Sequence, residues 1–237
     1  MKHFFKYLTV PKLKLKLPSV TTEDGKRLEV AVFEAPLADS DLWDVEIESE
    51  TYELRKEADP YRKGKNRTVV SKLSVNYSDL KKVIKGILKG LKLVHDEGKS
   101  HGDIRLPNIL KKPGASEGKY KYSVTDFGTL KPDETGKGRK RDLENASRVL
   151  LAMWLKYLRA EDYVVQSNVI NGDVDSYCES LLEGKDGVLV NRPPDYEYFG
   201  VYYPTADDKK LIEFCQRLYE GKELKSADDA LADPWLR

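Results

Sequence analysis

The chain has 237 residues, of which 40% are hydrophobic and 34% charged, so it can bury the core of one domain or of two small lobes. Its 41 basic and 40 acidic residues give a formal net charge of +1, which excludes nucleic-acid binding driven by overall positive charge. No apolar run reaches the roughly 20 residues of a membrane-spanning helix, and the N-terminal apolar stretch is too short for a secretory signal. We therefore expect a soluble, intracellular protein, cytoplasmic or nuclear, with no membrane contact.

The few cysteines and histidines argue against a disulfide scaffold and a structural zinc site. Cys178 and Cys215 lie far apart in the sequence, without a CxxC pair. None of the three histidines (His3, His95 and His101) stands at zinc-ligand spacing from them.

Short strands dominate the predicted structure of the first 77 residues. Period-two alternation at 13–17 and β-branched runs at 28–33 and 67–75 predict strands. Glycine and charged residues predict a hairpin turn at 23–27 and an exposed loop at 62–67.

The segment 42–54 is compatible with two kinds of structure. Trp43, Ile47 and Leu54 fall near one helical face, whereas Val45 and Ile47 alternate as in a strand. We favour the helix.

An amphipathic helix is predicted from residue 78 onwards. Ser78 is placed to cap its N-terminus and Gly98 to end it. Gly86 and Gly90, one turn apart, indicate close packing of another element. The apolar residues that recur at three- and four-residue steps are Leu80, Ile84, Ile87, Leu91 and Val94.

Further helices are predicted in the C-terminal half, at 142–158 and 207–219. A short helix capped by Ser226, with Asp229 three residues on, follows them. The stretch 160–205 receives no assignment.

Polar side chains that suit phosphoryl transfer follow the helix predicted from residue 78. That chemistry needs a carboxylate to accept or orient the attacking hydroxyl and oxygen ligands to hold Mg²⁺ against the phosphates. Asp103 would take the first task, and Asn108 and Asp126 would hold the metal. Arg105 would neutralise the moving phosphoryl group. The structural alternative makes Asp103 a loop cap and Asp126 a turn residue, but it does not account for both loops.

The spacing of these residues resembles that of the protein kinase superfamily. His101, Asp103 and Asn108 match the catalytic loop H-x-D-x-x-x-x-N, and 126–128 matches the metal loop D-F-G. A helix precedes the first loop and a predicted strand pair separates the two. Asp142 resembles the aspartate that begins the long central helix of the kinase C-lobe and ties down the backbone of the catalytic loop.

The resemblance implies a two-lobed, kinase-like α+β fold, with a reduced strand-rich N-lobe over 1–77 and a mainly helical C-lobe over 78–237. The implied function is ATP- and Mg²⁺-dependent phosphotransfer to Ser/Thr hydroxyls of a protein substrate. The closing segment 226–236 also resembles the last segment of kinases.

Departures from the kinase pattern narrow these expectations. Gly102 stands where many regulated kinases have arginine, so a phosphorylated activation loop lacks its usual partner. HGD also occurs in RIO-type kinases, and D-I-R-x-P-N is similar to crinkler-type effector kinases. The short interval between Asp126 and Asp142 contains no A-P-E, which implies a shortened peptide-docking platform.

The N-lobe lacks a G-x-G-x-x-G loop, and Phe33 stands where V-A-I-K would place the phosphate-binding lysine. Lys26 or Lys72 would supply that charge from a neighbouring strand; for each, an exposed surface lysine is the alternative. The acidic partner of the lysine would be one of Glu46, Glu48 and Glu50.

Two other functions remain open. A pseudokinase that binds nucleotide or a partner protein without transferring phosphate is favoured by the incomplete N-lobe. Nucleic-acid binding through the basic clusters 62–67 and 137–141 ranks below both, because such clusters are usually exposed loops.

Overall fold

The computed structural model of the chain describes most of the C-terminal two thirds and separate parts of the N-terminal third. The described ranges are 12–16, 20–21, 27–28, 31–34, 38, 40–44, 52–58, 63–114, 120–158, 160, 172–184, 187–192 and 197–237.

Five α-helices lie within the described residues. They are α1 (Tyr77–Asp96), α2 (Lys137–Tyr157), α3 (Val174–Glu183), α4 (Ala206–Glu220) and α5 (Ala227–Ala232). Single 3₁₀ turns are formed by Leu106–Asn108, Phe127–Thr129 and Pro234–Leu236.

Thirteen short strands accompany the helices in the described ranges. They are β1 (Lys12–Lys16), β2 (Val20–Thr21), β3 (Arg27–Leu28), β4 (Ala31–Glu34), β5 (Ser40–Asp41), β6 (Tyr52–Ala58), β7 (Asn66–Leu73), β8 (Lys99–Ser100), β9 (Ile109–Pro113), β10 (Tyr120–Val124), β11 (Lys131–Pro132), β12 (Val188–Arg192) and β13 (Glu197–Tyr202). They form two-stranded sheets β1-β4, β2-β3 and β11-β8, the three-stranded sheet β10-β9-β5 and the four-stranded sheet β12-β13-β7-β6. The predicted α+β class is confirmed.

The helix predicted from residue 78 is present, but its cap is not Ser78. Asn76 caps α1, because its side-chain oxygen accepts the N–H of Asp79 at 3.0 Å. Gly98 follows the helix with φ +69° and donates its N–H to His95 O at 2.9 Å, so the predicted end is confirmed.

Close packing at Gly86 is also confirmed. The antiparallel hairpin β9-β10, which the sequence predicts, packs against α1 at this glycine. A Cβ atom at Gly86 would lie 2.6 Å from the carbonyl oxygen of Tyr122. The tyrosine hydroxyl in turn donates to Asp79 at 2.9 Å, and burial raises the pKa of Tyr122.

The helix predicted at 142–158 begins earlier, at Lys137. Its first turn contains the basic cluster 137–141, so the prediction of a loop there is wrong. The physical reason is Asp133, a buried carboxylate that accepts the N–H groups of Gly138 (3.2 Å) and Arg139 (2.7 Å) and so caps the helix. Asp142 therefore lies inside α2 and does not open it.

The helix favoured for 42–54 is wrong wherever the structure describes this segment. Residues 42–44 form a turn, because Asp41 Oδ1 accepts the N–H groups of Trp43 (2.8 Å) and Asp44 (3.1 Å). Leu54 belongs to β6, which pairs with β7. Residues 45–50 lie outside the described ranges.

The largest sheet joins distant parts of the sequence. β7 pairs with β6 in antiparallel fashion and with β13 in parallel fashion, with Val69 opposite Val201 and Val70 opposite Tyr202. β12 and β13, together with α3, fall in the stretch that receives no assignment from sequence. The sheet thus crosses the lobe boundary predicted at residue 77, and the division into lobes stays a prediction.

One buried carboxylate connects this sheet to three helices. Asp208 accepts the hydroxyls of Tyr77 at 2.6 Å and Tyr202 at 2.5 Å, and the indole N–H of Trp154 at 2.7 Å. The side-chain and backbone groups of Thr205 also donate to it, which completes the N-terminal cap of α4. Five donors compensate the loss of hydration that burial imposes on the charge.

The apolar faces of α1, α2 and α4 meet in a single core. The residues of the stripe predicted at 207–219 are all fully buried: Leu211, Phe214, Cys215 and Leu218. The stripe predicted on α1 is equally buried, apart from a small exposed part of Val94. Among the described residues, no helix combines the length and apolarity that crossing a bilayer requires.

We predict that Gly86→Ala destabilises the fold, although alanine normally favours a helix by about 1 kcal/mol over glycine. The new Cβ would meet backbone, which cannot rotate away, so we expect the free energy of unfolding to fall by about 1–3 kcal/mol. Urea denaturation measures this change. Lys82→Ala, at an exposed position of the same helix, is the control and should change it by less than about 0.5 kcal/mol. Equal effects of the two substitutions would contradict the packing argument.

Candidate active site

The loop that contains Asp103 is hydrogen-bonded to the fully buried Asp142. Its Oδ2 accepts the backbone N–H of His101 at 2.7 Å, and its Oδ1 accepts that of Gly102 at 2.8 Å. His95 Nε2 lies 3.0 Å from Oδ2 and is the third donor, because an ionised carboxylate can only accept. The expectation that Asp142 ties down the backbone of this loop is confirmed.

Gly102 has a conformational reason to be glycine. Its φ of +81° lies in the left-handed region, where a Cβ atom is unfavourable. Such an atom would also come within 3.2 Å of the carbonyl oxygen of Thr129. The turn lets two successive N–H groups face Asp142 immediately before Asp103.

The structure brings Asp103, Arg105 and Asn108 together. Asn108 Nδ2 donates to the carboxylate of Asp103 at 2.8 Å and to its backbone oxygen at 2.9 Å. The 3₁₀ turn with Pro107 allows this return of the chain. Arg105 Nε donates to the same carboxylate oxygen at 3.1 Å, and the Asp103 side chain remains 30% exposed. Since the nitrogen of Asn108 is engaged, its amide oxygen is the atom suited to a metal ion.

Asp126 has the only positive φ of a non-glycine residue among those that the structure describes. Its φ of +58° and ψ of +75° place it in the left-handed region, a conformation that clusters at functional sites. One carboxylate oxygen accepts the N–H of Gly128 at 3.3 Å, which is the turn that the structural alternative predicts. The residue is exposed at the end of β10, so its carboxylate is accessible to a cation.

His101 links the two loops. Its Nδ1 accepts the N–H of Asp103 at 3.3 Å, and its Nε2 donates to the carbonyl oxygen of Thr125 at 3.0 Å. The ring also meets Phe127 edge-on, with 5.2 Å between centroids. Burial lowers the pKa of His101, which favours the neutral ring that this bonding pattern requires. Asp103 and Asp126 therefore stand on loops joined through one imidazole.

The predicted nucleotide-binding residues are not brought to this site by any described contact. Lys26, Glu46, Glu48 and Glu50 lie outside the described residues. Lys72 lies in β7 opposite Glu53, and its side chain is also outside the description. Their roles stay predictions.

The oxygen atoms of Asn108 and Asp126 fit a magnesium ion that is also bound by substrate phosphates. They do not make a site in which protein side chains alone bind the metal. Among the described residues, no group of three or more His, Cys, Asp or Glu side chains is placed to hold a metal ion. Magnesium in phosphoryl-transfer sites is held by one or two carboxylates together with substrate phosphates. Asp126 with the amide oxygen of Asn108 is compatible with that pattern.

Sequence reasoning missed two features of the site. His95 carries a signal, because it lies in the last turn of the helix that leads into the loop. A cavity of about 420 Å³ beside Asp103 carries none, because its walls come from separate segments. It is lined by Trp43, Asp103, Ile104, Arg105, Leu106, Pro107, Asn145, Arg148, Val149 and Ala152.

Comparisons with known proteins give one point of reference. No family model and no curated protein matches the chain. Among solved structures, the chain is similar to a crystal structure of the Rad53 kinase domain and SCD2, with a TM-score of 0.42 and 16% sequence identity. The match covers 69% of this chain and 57% of that chain, so it spans little more than half of the solved protein.

We predict that Asp142→Asn destabilises the protein, because an amide NH₂ would face backbone N–H groups that need an acceptor. A buried donor left without a partner costs about 1–3 kcal/mol. Thermal and urea unfolding measure the loss. Asp96→Asn, an exposed carboxylate at the end of α1, is the control and should leave stability within about 0.5 kcal/mol. Similar losses in both variants would argue against the role of Asp142.

We also predict that protonation of His101 weakens the fold in mild acid. Because the folded protein holds the pKa of His101 below its ordinary value of about 6.5, the unfolded chain binds the proton first. The contribution of neutral His101 to the free energy of unfolding is fully present above pH 6.5. It is lost as the pH falls toward the folded pKa, by at most about 1.4 kcal/mol per pH unit. Urea unfolding at pH 7.5 and 5.5 tests this. His101→Gln should lose that part of the pH dependence, and an unchanged slope in this variant would refute the assignment.

Proposed function

We propose that this protein is an ATP- and Mg²⁺-dependent phosphotransferase that acts on Ser/Thr hydroxyls of a protein substrate. The observation that carries the proposal is the joined pair of loops around His101. Its ring accepts the N–H of Asp103, which is hydrogen-bonded to Asn108, and donates to Thr125, the residue before the left-handed Asp126. A structural role of each loop alone would not require all three polar groups on adjacent loops.

Asp103 would orient the acceptor hydroxyl and take its proton. The hydroxyl oxygen forms a bond to the γ-phosphorus as the bond from that phosphorus to the β,γ-bridging oxygen breaks, and ADP leaves with the electron pair. Asn108 holds the carboxylate in place through its Nδ2. Arg105 donates to Asp103 through Nε only, so its other N–H groups are suited to the charge on the moving phosphoryl group.

Asn108 and Asp126 would hold the magnesium ion through oxygen atoms. When bound, the ion neutralises the phosphates and fixes their orientation. Lys26 or Lys72, with Glu46 or a neighbouring glutamate, is the proposed source of the remaining contacts to ATP.

The surroundings of the loops favour an atypical kinase. Gly102 replaces the arginine of regulated kinases, and its positive φ gives a steric reason for the HGD sequence shared with RIO-type kinases. Crinkler-type effector kinases are similar in the D-I-R-x-P-N segment. α2 begins at Lys137, soon after the 3₁₀ turn Phe127–Thr129. The short connection supports an acceptor held elsewhere than on a long activation segment.

A pseudokinase is the second candidate. Phe33, in β4, stands where the resemblance would place the phosphate-binding lysine, and no glycine-rich loop precedes it. An aromatic ring cannot replace a cation at a phosphate. Such a protein would bind nucleotide or a partner and transfer nothing.

Transfer of radiolabelled phosphate from ATP in the presence of Mg²⁺, to the protein itself and to a generic acceptor, separates the candidates. We expect Asp103→Asn to lower the rate at least about 100-fold, because loss of a general base costs that much. Asp126→Asn should raise the Mg²⁺ concentration needed for half-maximal rate. Asp44→Asn, an exposed aspartate outside the two loops, is the matched control.

The outcomes differ clearly. Transfer by the native protein that is lost in Asp103→Asn and kept in Asp44→Asn supports the enzyme. Mg²⁺-dependent nucleotide binding, with no transfer above the Asp103→Asn background, would favour the pseudokinase. Unfolding curves of the three variants must match that of the native protein for either reading to hold.

A further inference from the structure

The cavity of about 420 Å³ opens beside Asp103, between its loop and α2. Ile104, Leu106 and Pro107 form the wall on the loop side, and Val149 and Ala152 form the wall on α2. Neither Asn108 nor Asp126 lines it. The cavity thus borders the proposed base without reaching the proposed metal ligands, which is the side expected for an acceptor and not for a nucleotide.

Each of the two arginines in the walls bonds to a neighbouring group. Arg105 Nε pairs with Asp103, as described above. The Arg148 guanidinium donates to Gly172 O at 3.1 Å and lies over the ring of Tyr219, 5.2 Å from its centroid. Most of the remaining wall is aliphatic. An apolar group is therefore the occupant that this lining would bind best.

The rim of the cavity carries an exposed tryptophan on a fixed turn. Trp43 is 53% exposed, and its backbone carbonyl oxygen and that of Leu42 both accept from Lys156 Nζ. Leu42 is fully buried, and Asp41 accepts the N–H of Trp43. A tryptophan side chain has only two rotatable bonds, so it loses little entropy when it contacts an apolar ligand, and such residues often dominate binding.

We propose that this cavity binds a large apolar side chain of the protein substrate, close in sequence to the hydroxyl that Asp103 receives. The proposal rests on the proposed function and adds the substrate class: a polypeptide with Leu, Phe or a similar residue near its Ser or Thr. A cavity of this volume can enclose such a side chain, since complete drug-sized ligands occupy pockets of about 300–1,000 Å³. Trp43 would contact this side chain at the rim, and Val149 and Ala152 would contact it from the wall on α2.

Peptide pools with a central Ser/Thr and one flanking position fixed as Leu, Phe, Asp or Lys test this proposal, with radiolabelled ATP and Mg²⁺. We expect at least about fivefold higher kcat/KM for Leu or Phe at one position. Trp43→Ala should raise the KM for that peptide about 5- to 10-fold and leave kcat unchanged, since ground-state and transition-state contacts are lost equally. Ala152→Phe, which enlarges a residue of the wall on α2, should abolish the preference. Leu189→Ala, at an exposed leucine of β12, is the control and should keep it.

Each outcome decides a different point. Transfer to all pools without an apolar preference, or with a preference for Asp or Lys, overturns the inference and leaves the proposed function in place. A preference that survives both Trp43→Ala and Ala152→Phe overturns the assignment to this cavity. No transfer to any pool above the Asp103→Asn background overturns the proposed function and this inference together.

Discussion

The candidate site depends on one buried carboxylate, that of Asp142, which is hydrogen-bonded to the loop of Asp103. Asp142 has no exposed surface. It accepts hydrogen bonds from two consecutive backbone N–H groups of the loop and from Nε2 of His95. These donors replace the water that burial removes from the carboxylate. The same bonds join α2, α1 and the loop, so the position of Asp103 follows from the packing of the two longest helices. The backbone of the loop that carries Asp103 is therefore held in place by the protein itself, without a bound ligand.

A second set of contacts extends that order to the neighbouring loop. His101 uses one ring nitrogen toward Asp103 and the other toward Thr125, and Asn108 O accepts the N–H of Thr125 at 2.9 Å. Because both loops share these bonds, Asp103 and Asp126 are held on adjoining segments. The cavity also borders the loop of Asp103. Its other walls come from α2 and from the turn that carries the exposed Trp43. The proposed base thus bonds to Asn108, one of the proposed metal ligands, and also lines the mostly apolar cavity.

Some elements were predictable because their signals are local. The apolar stripes of α1 and α4 follow the 3.6-residue period, and each buries the face that the pattern indicates. The cap of α5 at Ser226 is equally local. The beginning of α2 was predicted wrongly, because the basic residues 137–141 resemble an exposed loop. The cap comes from Asp133, which precedes these residues in the sequence. The segment 42–54 was ambiguous in period, and the pairing of β5 with β9 and of β6 with β7 decided against a helix.

By itself the sequence determined the types and spacing of Asp103, Asn108 and Asp126, and the helix that precedes them. Asp103 and Asn108 are only five positions apart, so chain connectivity already limits where their side chains can lie. Asp126 follows the next predicted strand pair, which limits its distance from them along the chain. Only the tertiary structure decided the parallel pairing of β7 with β13, the five donors around Asp208 and the walls of the cavity at Trp43 and Ala152. The strand pairing, the bond from Tyr77 to Asp208, and the cavity walls at Trp43 and Ala152 each join residues more than a hundred positions apart. They depend on how whole elements pack, and no local period or propensity carries that information.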